Sequence, residues 1–350
     1  MSGTMSSSGS ALRRVGAAIT RVARRFWNWL PEDVDRRVRV FAWLSFAFQL
    51  VLIITGGAVR LTASGLGCPT WPRCTEDSFI NTPEMGIHGV IEFGNRLLTF
   101  VLAFITIAAF LMVIRYRRER RDLFRLTLFQ GLSIPFQAVL GGITVLTGLN
   151  PYVVGAHFAV SIVLVSLTTI LVWRVYRGPR GSERLAPAWY FAATHLTTFA
   201  VAVTVIMGIL TTGSGPHAGD NSNPLKPAPR NGLDPELLQH IHSWPAYVTL
   251  GLTIILLVAA IVVKLPTLRW VLALLGIEVL QTMVGITQAR LGLPELLVGV
   301  HMFLAGLLVA AMTAVVLSLR SSREDDLATR YLRTGSVAEP ASGPLVAELP

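Results

Sequence analysis

The chain has 350 residues, of which 52% are hydrophobic and only 14% charged, with a formal net charge of +10. Soluble domains usually carry about 25% charged residues, so the water-soluble globular classes are excluded. The basic balance does not describe a nucleic-acid surface either, because its residues are sorted between particular loops.

Residues 1–38 are rich in Ser and Arg and lack the apolar core of a cleavable signal. They read as a cytoplasmic N-terminal tail of the bacterial kind, a composition that a mitochondrial presequence shares. Eight apolar runs follow, at about 39–60, 89–113, 126–147, 152–173, 188–212, 237–263, 269–290 and 295–318. Each is long enough to cross roughly 30 Å of hydrocarbon. Backbone polar groups in lipid must be satisfied within the segment, which makes each run a helix. The alternating segments of about ten residues that build a membrane barrel are absent. The fold class predicted is an all-α membrane protein of eight transmembrane helices. Of the 30 Lys and Arg, only Arg60, Arg73, Arg96, Lys226, Arg230 and Arg290 fall at the outer ends of the runs; the rest share a side with the N-terminus. The positive-inside rule then sets both termini in the cytoplasm, with the lipid bilayer of the inner (plasma) membrane as the surroundings. Residues 319–350 mix charge, Pro, Gly and Ala without periodicity and read as a disordered cytoplasmic tail.

The first run exits through Gly56-Gly57-Ala58-Val59-Arg60-Leu61-Thr62-Ala63-Ser64-Gly65, where Gly and Ser suit tight turns over a pocket mouth. Arg60 is placed to neutralise a ligand carboxylate there. Cys68 and Cys74 follow, the chain's 2 cysteines. On an oxidising face such neighbours suggest a disulfide; free or metal-binding thiols are the alternative. Closing so short a loop adds only about 2–3 kcal/mol by the chain-entropy argument, which favours local shaping or redox sensitivity as its purpose. In the second run His88, Glu92 and Asn95 stand at i, i+4 and i+7 and face one way, with Arg96 next. Glu92 either pairs structurally with Arg96 or Arg60, or acts as a base or a stabiliser of positive charge.

An internal repeat organises the rest. Gln137–His157 aligns without gaps on Gln281–His301, matching Gln137/Gln281, Gly141/Gly285, Gly148/Gly292, Leu149/Leu293, Val154/Val298, Gly155/Gly299 and His157/His301. Weaker echoes relate Glu92–Arg96 to Gln239–Ser243, and Ser64-Gly65 to Ser214-Gly215. Two four-helix halves in parallel orientation follow, residues 39–175 and 186–318, with two equivalent pockets. Of the 7 histidines, His195 lies near the cytoplasmic end and reads as a packing residue. His88, His157, His217, His240, His242 and His301 all fall at outer ends or in outer loops. Neutral imidazole is a good iron ligand, and two from facing helices clamp a haem; the bland alternative is a hydrogen bond to a backbone carbonyl across the bundle. Gly155 and Gly299, just ahead of His157 and His301, allow a large ligand or a neighbouring helix to approach. The loop Gly213-Ser214-Gly215-Pro216-His217-Ala218-Gly219-Asp220 reads as structural or gating.

Taken in this order, these motifs resemble the haem A synthase family over residues 40–318. The likeness lies in the Gly-Gly-x-x-Arg-Leu-Thr-x-Ser-Gly exit, the outer Cys pair, the Glu-x-x-x-Arg segment, the Gly-Ser-Gly-Pro-His-Ala-Gly-Asp loop, Gln239-x-x-His242 and the Gly-x-His starts. The resemblance implies oxidation of the C8 methyl of haem O to a formyl group by successive hydroxylations. Haem O would be the substrate in the N-terminal half and haem b the cofactor in the C-terminal half. Glu92 would be the catalytic carboxylate, His242 and His301 the haem b ligands, and His157 a ligand in the substrate pocket. Cys68 and Cys74 would form the family's outer disulfide, with Arg60 and Arg96 near the haems. Haem O synthase and an electron acceptor are the further partners this setting suggests. One position departs from the pattern: Asn95 stands where the family has His. Either His88, about 10 Å along the axis, takes its place, or that iron keeps one protein ligand, or Asn95 positions a water. Rival readings are a di-haem b electron carrier, which would need no Glu92, and a parallel-repeat transporter.

Overall fold

The computed structural model describes residues 7–220, 227–323 and 325–328. Its first element is not a span. Helix α1 (Ser7–Trp29) sets Val15, Ile19, Val22 and Phe26 at i, i+4, i+7 and i+11, while Arg13, Arg14, Arg21, Arg24 and Arg25 occupy the other faces. All four apolar side chains are exposed, the pattern of helices that lie in a membrane interface.

The chain is a multi-pass membrane protein with, among the described residues, eight helices long and apolar enough to span: α2 (Arg36–Leu61), α3 (Gly86–Val113), α4 (Arg121–Leu146), α5 (Pro151–Arg177), α6 (Ala188–Ser214), α7 (Pro235–Val262), α8 (Leu268–Arg290) and α9 (Glu295–Leu317). Capping chemistry fixes where several begin. Asp35 accepts from the Arg37 and Val38 N–H groups, so α2 starts ahead of its apolar run. Asn150 caps α5 and Asp234 caps α7, each followed by Pro at the first helical position. Gly178, at φ 73°, ends α5 in a left-handed conformation that a side chain would strain.

Helices α2 to α5 pack in sequence and close through α2 against α5; α6 to α9 do the same through α6 against α9. The two rings meet where α9 packs on α2 and α5, and where α5 packs on α6. Leu50, Ile53, Ile162, Val165 and Ala310 fill that seam. The α4–α5 and α8–α9 turns share one backbone: Gly148 and Leu149, like Gly292 and Leu293, are consecutive left-handed residues. In each, the Leu N–H donates 2.8 Å back to a carbonyl of the preceding helix, that of Thr144 or Gln288. These turns share one end of the bundle with the loop carrying Cys68 and Cys74, called here the disulfide end. At the opposite end, β1 (Arg180–Arg184) pairs antiparallel with β2 (Arg320–Ser322). The segment read as a disordered tail from 319 therefore opens with a paired strand. Beyond residues 323 and 325–328 it lies outside the described residues, as does Lys226.

Candidate functional site

The disulfide end of the first ring is built around Glu92. Cys68 and Cys74 are bonded and fully buried, and Gly67 lets the loop backbone pass against the start of α3 at His88. Glu92 is 5% exposed. Its Oε2 accepts from the Cys68 N–H at 2.6 Å, and its Oε1 accepts from Arg96 Nη2 at 2.6 Å and Nε at 3.2 Å. Arg96 also donates to the Cys68, Thr70 and Arg73 carbonyls. One carboxylate–guanidinium pair, one helical turn apart on α3, thus organises the whole disulfide loop. Trp71 from that loop lies over Gly142 of α4, next to Gly141. Of the two readings open from sequence, the pairing with Arg96 is present and that with Arg60 is not.

His157, His242 and His301 share one local design. Each ring lies against a glycine of a neighbouring helix. A Cβ on Gly141 would stand 3.3 Å from His157 Cε1, one on Gly208 3.0 Å from His242 Cε1, and one on Gly285 3.1 Å from His301 Cε1. Gly141 and Gly285 are matched positions of the repeat. The glycines that precede His157 and His301 serve other contacts: Gly155 packs on Ile209 and Gly299 on Leu61. A glutamine repeats as well. Gln137 Nε2 donates to the His157 carbonyl at 3.3 Å, and Gln281 Nε2 to the His301 carbonyl at 3.2 Å. The Nδ1 atoms of His157 and His301 are both buried without a hydrogen-bond partner among the described residues.

The two rings differ in what faces these histidines. In the second, the His242 and His301 rings face each other with centroids 6.2 Å apart and planes at 79°. Two imidazoles each bound at about 2 Å to one central metal put their centroids roughly 6 Å apart, so this pair fits a bis-His haem. His242 Nδ1 is held 3.1 Å from the Thr204 carbonyl and its ring faces His301, while His240 is exposed. In the first ring, Asn95, which the sequence repeat aligns with His242, accepts from Thr55 Oγ1 at 2.8 Å. His88 is exposed, and its Nδ1 lies 2.9 Å from Ser64 Oγ. The structure therefore does not bring His88 to Asn95.

Arg60 crosses between the rings. It donates to the His217 and Thr212 carbonyls, both at 2.9 Å, while His217 Nε2 lies 2.9 Å from the Leu293 carbonyl. The Gly65 N–H donates to the Gly219 carbonyl at 2.7 Å, and Ser64 forms a bridge with Asp220. The two Gly/Ser-rich loops are thus one structure, bordering an open cavity of about 390 Å³ with Arg60, Thr62, His217 and Glu295 on its walls. This cross-link joins residues far apart in sequence and has no local signal. Among the described residues no three His, Cys, Asp or Glu converge as a metal cluster.

The glycine cradle carries a prediction. Gly285→Val should displace the His301 ring, at a cost of about 1–3 kcal/mol typical of overpacking, and weaken a spectrum that depends on that ring. Gly299→Ala, where the added Cβ would meet Leu61 at an ordinary 3.5 Å, should leave it unchanged. Equal spectra of the two variants, measured on purified protein, would refute the cradle.

Spans of this length and apolarity define a polytopic membrane protein. A family model described as "Cytochrome oxidase assembly protein" matches residues 39–313, and the chain belongs to that family. Similar proteins include the haem A synthases of Bacillus pumilus (30% identical over 153 residues, 42% of this chain and 48% of the relative), Listeria welshimeri (26% over 144 residues, 41% and 47%) and Geobacillus thermodenitrificans (28% over 150 residues, 42% and 46%). The resemblance read from the motifs is borne out. The chain spans about half the length of the curated relatives it matches.

Proposed function

We propose that this chain is a membrane enzyme that oxidises the C8 methyl of haem O to a formyl group, making haem A for a terminal oxidase. The observation that carries the reading is the difference between the two histidine sites. A resident cofactor should be held from both sides, as the facing His242 and His301 would hold haem b. A substrate must enter and leave, which suits His157 facing a position where Asn95 replaces a second strong ligand. Bound haem would supply one-electron redox chemistry at iron. The chain's own groups would orient the haems and exclude water. Arg96 and the Cys68 N–H keep the Glu92 carboxylate fixed, so that it could take the proton released as the methyl carbon gives up two electrons per hydroxylation to an external acceptor, or stabilise positive charge developing there. We place the haem pockets toward the outer face of the inner membrane, with both termini in the cytoplasm. The halves 39–175 and 186–318 would be copies of one ancestral unit.

The test is to express the chain in a host that makes haem O and to extract the haems. Haem A, or its hydroxymethyl precursor, is expected. Haem b alone, with haem O unchanged, would overturn the reading and favour an electron carrier.

A further inference from the structure

The second ring contains a buried carboxylate that neither the motifs nor the proposed reaction uses. Glu278, on α8, is 5% exposed. Its Oε1 accepts from Thr253 Oγ1 on α7 at 2.8 Å, and its Oε2 has no hydrogen-bond partner among the described residues. No ion pair reaches it among those residues. An ionised, unpaired carboxylate inside a membrane span is costly, and such residues mark proton or ion sites by default.

Its neighbours give it a direction. Glu278 lies three residues before Gln281 and on the same face of α8. Gln281 Nε2 is 3.2 Å from the His301 ring nitrogen Nε2. On the other side, Thr253 lies one turn from Thr249 on α7. Thr249 Oγ1 is 3.4 Å from Thr204 Oγ1, and the Thr204 carbonyl holds His242. Thr204, Thr249 and Thr253 are all buried. Polar side chains therefore stand on both sides between Glu278 and the two facing histidines, Gln281 toward His301 and Thr253, Thr249 and Thr204 toward His242. Toward the opposite end the ring is closed by Leu256, Val271, Leu274, Met312 and Val315, none more than 2% exposed. The acid lies on the histidine side of this packed apolar layer.

The other titratable groups on the packed elements do not compete for this position. On α8, Arg269 and Arg290 sit at the helix ends. On α7, Glu236, His240 and Tyr247 are exposed. On α9, Glu295 is in the first turn. Across the ring on α6, Tyr190 bonds Thr267 and the Leu256 carbonyl, and His195 lies tilted beside Phe191. His242 and His301 remain as the interior partners.

We propose that Glu278 is a redox-linked proton acceptor for the cofactor held by His242 and His301. It rests on the haem reading above. When a one-electron reductant adds an electron to that cofactor, Glu278 takes one proton at Oε2 from the disulfide end, offsetting the added charge in a low-dielectric interior. On reoxidation the electron leaves to an acceptor and Glu278 returns the proton. At the offset of the repeat the first ring has apolar Ile134 in this place, so the device belongs to the cofactor half.

The test is a redox titration of the full-length, haem-loaded chain in lipid, followed through the low-spin absorption at several pH values across neutrality. The wild-type midpoint should fall as pH rises, approaching about 59 mV for each tenfold change in proton concentration. Glu278→Gln should flatten this dependence without removing the haem, and Glu278→Asp should restore part of it. In the reduced-minus-oxidised infrared difference spectrum, the carbonyl band of a protonated carboxylic acid should vanish in Glu278→Gln. A pH-independent wild-type midpoint, or a slope unchanged in Glu278→Gln, overturns the proposal even if haem binding and product formation are intact. Should the Gln variant fail to accumulate, the wild-type slope and Thr253→Val, which removes only the donor and should shift the pH range of the slope, still decide it. A wild-type chain that binds no haem overturns the proposal together with the reading beneath it.

Discussion

Replacing His242 or His301 with Ala should abolish the low-spin haem absorption of the purified chain while leaving its eight helices folded. The two rings lie 6.2 Å apart at their centroids, each lodged against a glycine of an adjacent helix, Gly208 or Gly285. Neither can be replaced by a nearby histidine: His240 is exposed on the same helix, and His217 is committed to the Leu293 carbonyl. Even groups that only hydrogen-bond to a metal ligand change metal affinity by about 10–100-fold when removed. Losing a ligand itself should exceed that, so retention at ordinary protein concentrations should fail. Deleting an imidazole leaves a small cavity, and the fold should survive because the packed core of this ring sits at its opposite end around Leu256 and Leu274. Absorption spectra with helical circular dichroism check both halves of the expectation. A low-spin spectrum surviving in His242→Ala would mean that the pair is not the ligand set.

The second large effect is expected at Glu92. Glu92→Gln should lower formation of the formyl product by at least about 100-fold, the lower range for loss of a general acid or base. Gln can still accept from the Cys68 N–H, so the substitution tests the charge more than the shape. The structural role predicts something different: a loosened loop, a reducible Cys68–Cys74 bond and a shifted Trp71. Thiol accessibility therefore separates the roles. Product loss with an oxidised, inaccessible disulfide and an unchanged low-spin spectrum from the second ring supports chemistry at Glu92. Full activity in Glu92→Gln, with or without a disturbed loop, would remove it from the reaction.

Hydropathy alone locates the spans, because burial of backbone in lipid demands long apolar helices. It places the start of α2 at 39, whereas the helix begins at Arg36 under the Asp35 cap; charged first turns are invisible to it. The same blindness hides α1, whose signal is the spacing of Val15, Ile19, Val22 and Phe26 rather than mean hydropathy. The repeat exposes His157 and His301, and it also contains Gly141 and Gly285. Their role emerges only when α4 and α8 are seen to pack against the histidine rings. Gly208 lies outside any repeated motif, and nothing in one sequence distinguishes it from the other glycines. Glu278 is legible in principle, as a carboxylate inside the Leu268–Arg290 helix; its connection to the histidines depends on Thr253 and Thr204, which come from other helices. The pairing of the Gly65 and Gly219 loops is purely tertiary.

The central claim is a division of labour: cofactor haem in the second ring, substrate haem in the first. The most direct measurement is the identity of the haems retained by the purified His157→Ala and His301→Ala chains when haem O is supplied. His301→Ala should lose haem b and keep haem O, while His157→Ala should keep haem b and lose haem O. Loss of the same haem from both variants would contradict it.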